Sequence, residues 1–281
     1  MKNIFLFAKR AKELQMADAE AVATALKSFG CTLYTDISGI SDAEFVENPK
    51  ALIPDIDLLI VLGGDGSLLG VARTFAPFKK PILGINMGRL GYMVELEKSD
   101  LKDLERLFNK DYTIEKRMML TASVYRDNKE VFSGIALNDV VVAKGALSRM
   151  VHLEISADDC VINSYHADGV VVATPTGSTA YSMSAGGSVV APSIEAILLT
   201  PICPHALTLK PIILPNNQVV SVSATFPENE EVMLTLDGQE GFALSPSDVI
   251  KITKSEHTSD FIRLKKRNFF HILQQKLKEN R

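Results

Sequence analysis

The stretch LIVLGGDGSLL, residues 59–69, joins a run of apolar residues to a glycine-rich turn and the start of a second apolar segment. An uninterrupted apolar run is typical of an inner strand of a parallel sheet, which is covered on both faces. Ser67–Phe75 predicts a helix, so the turn Gly63–Ser67 lies at the carboxyl end of the strand. Ligands of open α/β sheets bind at that end. The stretch therefore predicts an α/β fold with a ligand site at this turn.

Strand and helix patterns also alternate on both sides of this stretch. Asn3–Ala8 predicts a buried strand, and helical spacing of apolar residues follows it. Pro81–Ile85 predicts another buried strand, and Ser99–Phe108 predicts a helix with Ser99 as its N-cap. This alternation indicates an open parallel sheet, so we expect a Rossmann-like α/β nucleotide-binding domain over residues 1–115.

The sequence pattern changes beyond about residue 115. Short segments rich in Val, Ile and Thr are separated there by Gly, Asn, Asp or Pro, as is typical of an antiparallel sandwich. The predicted strands are Met118–Tyr125, Val131–Leu137, Val140–Ala143, Val151–Ser156, Gly169–Ala173, Gln218–Ala224, Val232–Leu236 and Val249–Thr253. Helical spacing returns over Asn268–Lys278. We expect a β-sandwich-like domain over residues 116–262 and a C-terminal helix, within 263–281, that returns to the first domain.

Length and composition limit the class of protein. The chain has 281 residues, of which 46% are apolar and 23% charged, which suits two folded domains. The net charge of −4 comes from interspersed acids and bases, so we expect neither nucleic acid nor an anionic membrane as a partner. The basic cluster at 263–267 predicts a solvated stretch. Three distant cysteines and the lack of a run of about 20 apolar residues favour a cytoplasmic location.

The turn Gly63–Ser67 has the features of a phosphate-binding site. Glycines let a phosphate approach backbone N–H groups, and a helix N-terminus favours negative charge. Asp65 is the exception, because a carboxylate repels phosphates unless it binds Mg²⁺ or accepts a proton from an attacking hydroxyl. Both roles serve phosphoryl transfer. The alternative is a tight turn in which Asp65 only caps the helix.

A second motif, DGVVVATPTGSTAYSMSAGG at 168–187, begins with the predicted strand Gly169–Ala173. The strand leads into clustered hydroxyl groups and backbone donors over Thr174–Thr179, which suit phosphate or ribose. Tyr181 is a candidate contact of an adenine ring or a hydroxyl. A Pro-Thr-Gly turn before a capped helix is the structural alternative. The length of the segment and its many small polar residues favour a binding site.

The pair Asn138-Asp139 lies between two predicted strands. A carboxylate can accept hydrogen bonds from both vicinal hydroxyls of a ribose, and an amide can fix the edge of a base or sugar. An Asn-Asp pair is also common in turns, so on its own it indicates only a turn.

Taken together, GGDGS at 63–67, Asn138-Asp139 and TPTGSTAYSMSAGG at 174–187 resemble the bacterial NAD kinase family. The segment GINMGRL at 84–90, with Gly91-Tyr92 after it, is similar to the part of that family that follows the nucleotide loop. The third string is highly specific, whereas the first occurs more widely.

The resemblance covers about residues 59–244 and implies a reaction. The terminal phosphoryl group of ATP would pass to the 2′-hydroxyl of the adenosine ribose of NAD and give NADP. A divalent metal ion, Mg²⁺, would arrive with the nucleotide. The resemblance also implies an α/β domain before a β-rich domain, and assembly into a homo-oligomer, either a dimer or a tetramer.

By the same resemblance, individual residues acquire expected roles. Asp65 is the expected proton acceptor and also a ligand contact, with Gly66 beside it in the binding turn. The other expected contacts of the dinucleotide are Asn138, Asp139, Arg149, His166, Asp168, Thr176, Gly177, Ser178, Thr179, Ala180, Tyr181 and Gln239. We expect no preformed metal site, because the histidines lack ligand spacing such as HExxH.

Three positions depart from the family pattern. Ser67 replaces a frequent Thr and keeps the hydroxyl group, whereas Asp139 replaces a common Glu and shortens the reach by one methylene. His166 lies where some relatives carry Arg, which bears on discrimination between NAD and NADH. We expect no catalytic role for it.

Two alternatives stay open at this level. The GGDG turn also occurs in 6-phosphofructokinases and in diacylglycerol and sphingosine kinases, but this chain lacks a PTxDND-type segment, and the lipid kinases lack TPTGSTAYS. A catalytically silent dinucleotide-binding sensor would keep the pocket. Binding alone, however, gains little from an acid placed beside phosphates.

Overall fold

A computed structural model describes residues 1–8, 13–86, 91–158, 160–206, 208–265 and 268–279. The chain divides into two compact units, residues 1–116 with 259–281, and residues 117–258. The domain boundaries inferred from the sequence stay predictions. Within the described ranges, no helix has both the length and the apolar character needed to cross a membrane.

The elements follow one another in this order along the chain. The first part contains β1 (Asn3–Ala8), α1 (Glu13–Lys27), β2 (Thr32–Thr35), β3 (Glu44–Phe45), α2 (Pro49–Leu52), β4 (Leu58–Leu62), α3 (Asp65–Phe75), β5 (Ile82–Asn86), β6 (Leu96–Glu97) and α4 (Glu105–Phe108). The second part contains β7 (Thr113–Arg126), β8 (Lys129–Ala136), β9 (Asp139–Lys144), β10 (Val151–Ala157), β11 (Cys160–Ala167), β12 (Gly169–Ala173), α5 (Tyr181–Ser184), β13 (Ala196–Ile202), β14 (Ile212–Pro215), β15 (Val220–Thr225), β16 (Val232–Leu236), β17 (Glu240–Ala243), β18 (Val249–Arg263) and α6 (Phe269–Glu279).

The sheet of the first unit is parallel, in the order β3-β2-β1-β4-β5. This is the order of the first five strands of a Rossmann sheet. The last residues of β18 pair with β5 through Phe261 and Ile82. Leu6, Ile60 and Leu83 are fully buried in one hydrophobic core, because their strands are covered by helices.

The second unit consists of antiparallel sheets. One has the order β14-β13-β12-β9-β16-β17, and the other contains β11-β10-β15-β18 together with the β7–β8 hairpin. Strand β12 is buried on both faces: Val170 and Val172 join one core cluster, and Val171 and Ala173 join another. This strand delivers the chain into the TPTGSTAY segment, so its rigid packing fixes where that segment begins.

The predicted fold class, an open parallel α/β domain followed by a β-sandwich-like domain, is confirmed. The C-terminal helix α6 belongs to the first compact unit. The predicted bounds of strand β12 are correct, whereas the sequence pattern missed β3, β6, β11, β13, β14 and β17. These strands lack clear alternation of apolar and polar residues, and their pairing with distant strands decides their conformation.

Three local predictions are wrong. Helix α3 begins at Asp65 instead of Ser67, because Gly64 is its N-cap. The predicted helix Ser99–Phe108 is α-helical only over Glu105–Phe108; it begins as a 3-10 segment over Lys98–Leu104, and its N-cap is Glu97, in a reciprocal pair with Asp100, instead of Ser99. The basic cluster at 263–267 is not solvated at Arg263, whose side chain is only 13% exposed and pairs with two carboxylates, while residues 266 and 267 lie outside the described residues.

Candidate active site

The glycine-rich turn connects the buried strand β4 to helix α3. Gly63 has φ +146°, and a Cβ on it would lie 2.6 Å from Ser67 Oγ, so the turn needs glycine there. The carbonyl oxygen of Gly64 accepts hydrogen bonds from the N–H groups of Ser67 and Leu68. Gly64 and Gly66 are exposed. The helix N-terminus is therefore open to an anion such as a phosphate.

The Asp65 carboxylate lies in the first turn of α3 and is half-buried. It does not cap its own helix; Oδ2 accepts the N–H of Tyr92 at 2.7 Å, and Oδ1 accepts the N–H of Met93 at 3.0 Å. Gly91 permits this approach, because a Cβ there would lie 2.2 Å from Asp65 Oδ1. Burial and the charge of Asp65 raise the pKa of the Tyr92 phenol. Residues 87–90 of the GINMGRL segment lie outside the described residues.

The Asn138-Asp139 pair is fixed by an acid that the sequence pattern did not reveal. Asp237 lies in the turn between β16 and β17, with φ +52°. Its carboxylate accepts the N–H groups of Leu137, Asn138 and Asp139 at 3.0, 2.7 and 3.1 Å. A carboxylate that accepts several backbone N–H groups is strongly held. The Asp-Gly of the LDGQ string signals a turn, but it does not indicate this partner.

Asp139 is buried, with 4% of its surface exposed. Desolvation, followed by the negative charge of Asp237, raises the pKa of the Asp139 carboxyl to about 7. The carboxyl therefore changes its charge near neutral pH. Asn138 has a related feature: its Oδ1 is buried, and no donor among the described residues is within hydrogen-bond distance of it. A buried acceptor without a partner needs an explanation, and a donor from a bound ligand would provide one.

The TPTG turn is hydrogen-bonded to the backbone at Leu137 and Asn138. The N–H of Thr174 donates to the carbonyl oxygen of Asn138 at 2.8 Å, and Thr174 Oγ1 donates to the carbonyl oxygen of Leu137 at 2.6 Å. The N–H of Gly177 donates in turn to Thr174 Oγ1 at 3.1 Å. A Cβ on Gly177 would lie 2.1 Å from the Asn138 carbonyl oxygen. Only glycine allows the two backbones to approach this closely.

The hydroxyl-bearing residues that follow differ in exposure. Thr176, Gly177 and Ser178 are buried, while Thr179 and Ala180 are half-buried. Arg117 Nη1 donates to Thr176 Oγ1 at 3.2 Å, and Arg117 is itself buried, which the sequence did not predict. The Ser178 hydroxyl donates to the carbonyl oxygen of Pro175 at 2.7 Å. These hydroxyls thus order the loop itself.

Tyr181 follows these hydroxyl-bearing residues, and Asp168 influences its phenol electrostatically. Tyr181 is 44% exposed, and the pKa of its phenol is raised by burial first and then by the charges of Cys203, Asp168 and Asp139. Asp168 precedes β12, and its Oδ1 lies 3.8 Å from Lys144 Nζ. The structure therefore brings Asn138, Asp139 and the turn that begins at Thr174 together in the second unit, whereas Asp168 lies beside Lys144 at the opposite end of β12.

Of the three remaining predicted contacts, Arg149 and His166 lie apart from this cluster, whereas Gln239 belongs to the turn beside it. Arg149 and His166 line one cavity of about 450 Å³, formed by Arg149, Met150, His152, His166, Thr225, Phe226, Pro227 and Glu230. The rings of His152 and His166 lie 4.9 Å apart. Gln239 is exposed in the turn that carries Asp237, and its N–H donates to the carbonyl oxygen of Leu236 at 3.0 Å.

We expect the buried Asp139 to make stability depend on pH. Its pKa in the folded chain exceeds that of a free Asp, near 4, so the folded state binds more protons between pH 4 and 7. The contribution of this carboxyl group to the free energy of unfolding is fully present below pH 4 and is lost as the pH rises through 7. Asp139→Asn removes the charge, and above pH 7 it should raise the free energy of unfolding by about 2 to 4 kcal/mol. Urea unfolding at pH 5 and pH 8 measures the difference.

The control for this prediction is Glu154→Gln, which alters an exposed carboxylate on β10. This variant should follow the wild-type pH dependence. Equal stability of Asp139→Asn and the wild type at pH 8 would contradict a buried, ionising Asp139.

The fold and the two residue clusters define a class, a nucleotide-binding protein with a Rossmann-like unit and a β-rich unit. Residues 137–264 match the family model of the ATP-NAD kinase C-terminal domain, and residues 5–112 match that of the ATP-NAD kinase N-terminal domain. The NAD kinase of Caldanaerobacter subterraneus subsp. tengcongensis is 47% identical over 224 residues, which cover 79% of this chain and 79% of that protein. The NAD kinase of Heliobacterium modesticaldum is 46% identical over 244 residues, which cover 85% and 86%.

Two solved structures share the fold. One is yeast NADH kinase complexed with NADH, with a TM-score of 0.90 and 24% identity, covering 99% of this chain and 87% of that chain. The other is an NAD kinase from Archaeoglobus fulgidus in complex with ATP, with a TM-score of 0.78 and 24% identity, covering 98% of both chains. On the family models and the sequence identities, this chain belongs to the ATP-NAD kinase family.

Proposed function

We propose that this chain is an NAD kinase, which transfers the terminal phosphoryl group of ATP to the 2′-hydroxyl of the adenosine ribose of NAD and forms NADP. Family membership supports the reaction. The observation that best supports phosphoryl transfer is the position of Asp65, which lies in the first turn of a helix whose N-terminus is open to a phosphate.

Asp65 is proposed as the proton acceptor. Each of its two carboxylate oxygens accepts one backbone N–H, and each keeps a further lone pair for the proton of an attacking hydroxyl. The two N–H donors fix the direction of these lone pairs. General-base assistance of this kind contributes roughly 10²- to 10⁴-fold to a rate.

Asn138 and Asp139 are proposed to hold the dinucleotide. The buried Asn138 Oδ1 can accept a hydrogen bond from a ligand, which would satisfy it. Above pH 7 the Asp139 carboxylate is ionised and accepts from the hydroxyls of a ribose. The run from Thr176 to Tyr181 lies against Asn138 through Gly177, and it is proposed to contact the dinucleotide, with the half-exposed Tyr181 ring as one contact. Asp168, Arg149, His166, Gln239 and Gly66 are proposed as further contacts.

A divalent ion, Mg²⁺, is proposed to arrive with ATP. The Asp65 carboxylate fits such an ion, because it is a half-exposed oxygen ligand beside the expected phosphates. Most ligands would come from the phosphates themselves. When bound, the ion would neutralise the charge that develops on the phosphoryl oxygens.

A panel of acceptors tests the proposed function. The purified protein is incubated with ATP and Mg²⁺ and with NAD, NADH, fructose 6-phosphate, diacylglycerol or sphingosine, and ADP release and phosphorylated product are measured. We expect turnover with NAD and formation of NADP. Phosphorylation of the sugar or a lipid without NAD would assign the chain to another GGDG-type kinase, and NAD binding without turnover would indicate a sensor.

Two further properties are proposed from family membership. We expect a homo-oligomer, either a dimer or a tetramer, and light scattering of the purified protein measures its mass. A cytoplasmic location stays a prediction.

A further inference from the structure

Arg263 lies at the end of β18 and makes a network of charged contacts inside the first unit. Its Nη1 donates to the carbonyl oxygen of Met93 at 2.8 Å and to Glu95 Oε2 at 3.3 Å, and its Nε donates to Glu115 Oε2 at 2.5 Å. The planar guanidinium group reaches these three acceptors at once. The side chain is 13% exposed, so water weakens these interactions little.

Glu95 is the buried partner in this network. It is fully buried, and its Oε1 accepts the N–H groups of Leu264 and Lys265 at 2.9 and 2.7 Å. Its own N–H donates to the carbonyl oxygen of Gly84 on β5 at 3.0 Å. A carboxylate buried this deeply needs such partners to offset its desolvation. Glu95 and Arg263 thus lock the segment after Gly91 between β5 and the end of β18.

Met93 is held on both sides of its backbone. Its carbonyl oxygen accepts from Arg263, and its N–H donates to Asp65 Oδ1. The adjacent N–H of Tyr92 donates to Asp65 Oδ2. The backbone of Met93 therefore joins a hydrogen bond from the guanidinium group of Arg263 to a hydrogen bond that ends on the carboxylate of Asp65.

We propose that Arg263 is a positioning residue for the reaction, which fixes the Tyr92-Met93 backbone and thereby the direction of the Asp65 carboxylate. The proposal rests on the role of proton acceptor proposed for Asp65. A displacement of a catalytic group by about 1 Å can cost on the order of 10²-fold in rate. In this positioning role Arg263 contacts neither substrate and acts only through Met93.

The test compares Arg263→Met with Lys265→Met. The control removes an equal charge from the same segment, but Lys265 Nζ pairs with Asp100 and Asp103 instead of with Met93. We expect Arg263→Met to lower kcat about tenfold or more, with KM for NAD and for ATP within about threefold. Lys265→Met should keep kcat and the KM values for NAD and for ATP within about twofold of the wild type. Arg263→Lys, which keeps one donor, should recover part of kcat.

Hydrogen exchange gives a second measurement that does not depend on activity. Peptides that cover residues 91–97 should exchange their amide hydrogens faster in Arg263→Met than in the wild type or Lys265→Met. If Arg263→Met does not fold, the variant Arg263→Met with Glu95→Gln replaces it, because removing both charges leaves no unpaired buried carboxylate. Unchanged exchange over 91–97 would refute the proposal that Arg263 fixes the Tyr92-Met93 backbone.

The outcomes also separate this inference from the proposed function. Faster exchange with unchanged kcat, while Asp65→Asn is inactive, would refute the positioning role and leave the base intact. Faster exchange with unchanged kcat, while Asp65→Asn keeps full activity, would instead refute the base role of Asp65. Faster exchange together with the loss of kcat supports the positioning role.

Discussion

Asp65→Asn is expected to reduce kcat for NAD phosphorylation by about 10²- to 10⁴-fold, because an amide cannot accept the proton of the attacking hydroxyl. NAD affinity should change by no more than about threefold, since Asp65 is one expected contact among many and the others are unaltered. Steady-state kinetics gives kcat, and calorimetric titration gives the affinity for NAD.

A matched control exists in the same unit. The Asp57 carboxylate also accepts two backbone N–H groups, those of Lys2 and Asn3 at 2.6 and 3.1 Å. Both N–H groups reach one oxygen, Oδ2, so Asp57→Asn removes the charge of a carboxylate that accepts the same number of backbone N–H groups, at a position with no proposed role in the reaction. It should keep wild-type kcat. If Asp65→Asn is as active as Asp57→Asn, Asp65 is not the base.

Gly177→Ala is expected to have the largest effect on the second cluster. The new Cβ would lie 2.1 Å from the carbonyl oxygen, 2.5 Å from the carbonyl carbon and 2.8 Å from the Cα of Asn138, and all three are backbone atoms. The TPTG turn must then separate from Asn138 and lose the Thr174 hydrogen bond. We expect a loss of about 3 kcal/mol or more in the free energy of unfolding, together with loss of NAD binding.

Gly241→Ala is the control for that substitution. The nearest atom to its new Cβ is Met233 Cε at 3.3 Å, at the end of a flexible side chain that can move. The control should stay within about 1 kcal/mol of the wild type. Urea unfolding and NAD titration of both variants decide the matter: two variants of similar stability and affinity would contradict the close contact of Gly177 with Asn138.

Local patterns predicted the parts of the fold that short segments determine. The apolar run of β4 ends in two glycines and an acid, so both the strand and the position of the turn followed from neighbouring residues. Strand β12 was predicted with correct bounds, since it is a run of valines between a glycine and a Thr-Pro turn. The start of α3 was missed because Gly64, a weaker N-cap signal than Ser67, is the residue that begins the helix.

The contacts that hold the site residues in place could not be predicted, because they depend on pairing between distant parts of the chain. Asp237 fixes Asn138 from 99 positions away, and this contact exists only because β16 pairs with β9. Arg263 reaches Met93 across 170 positions. A single sequence carries no signal for such contacts, since an Asp in a turn and an Arg in a basic cluster have the same local pattern in many other contexts.

The most direct test of the central claim is a crystal structure with NAD and a non-hydrolysable ATP analogue bound, in which the distance from the Asp65 carboxylate to the 2′-oxygen of the adenosine ribose is measured. We expect hydrogen-bonding distance, about 2.6 to 3.2 Å. A separation too large for even one bridging water would contradict the proposed role of Asp65.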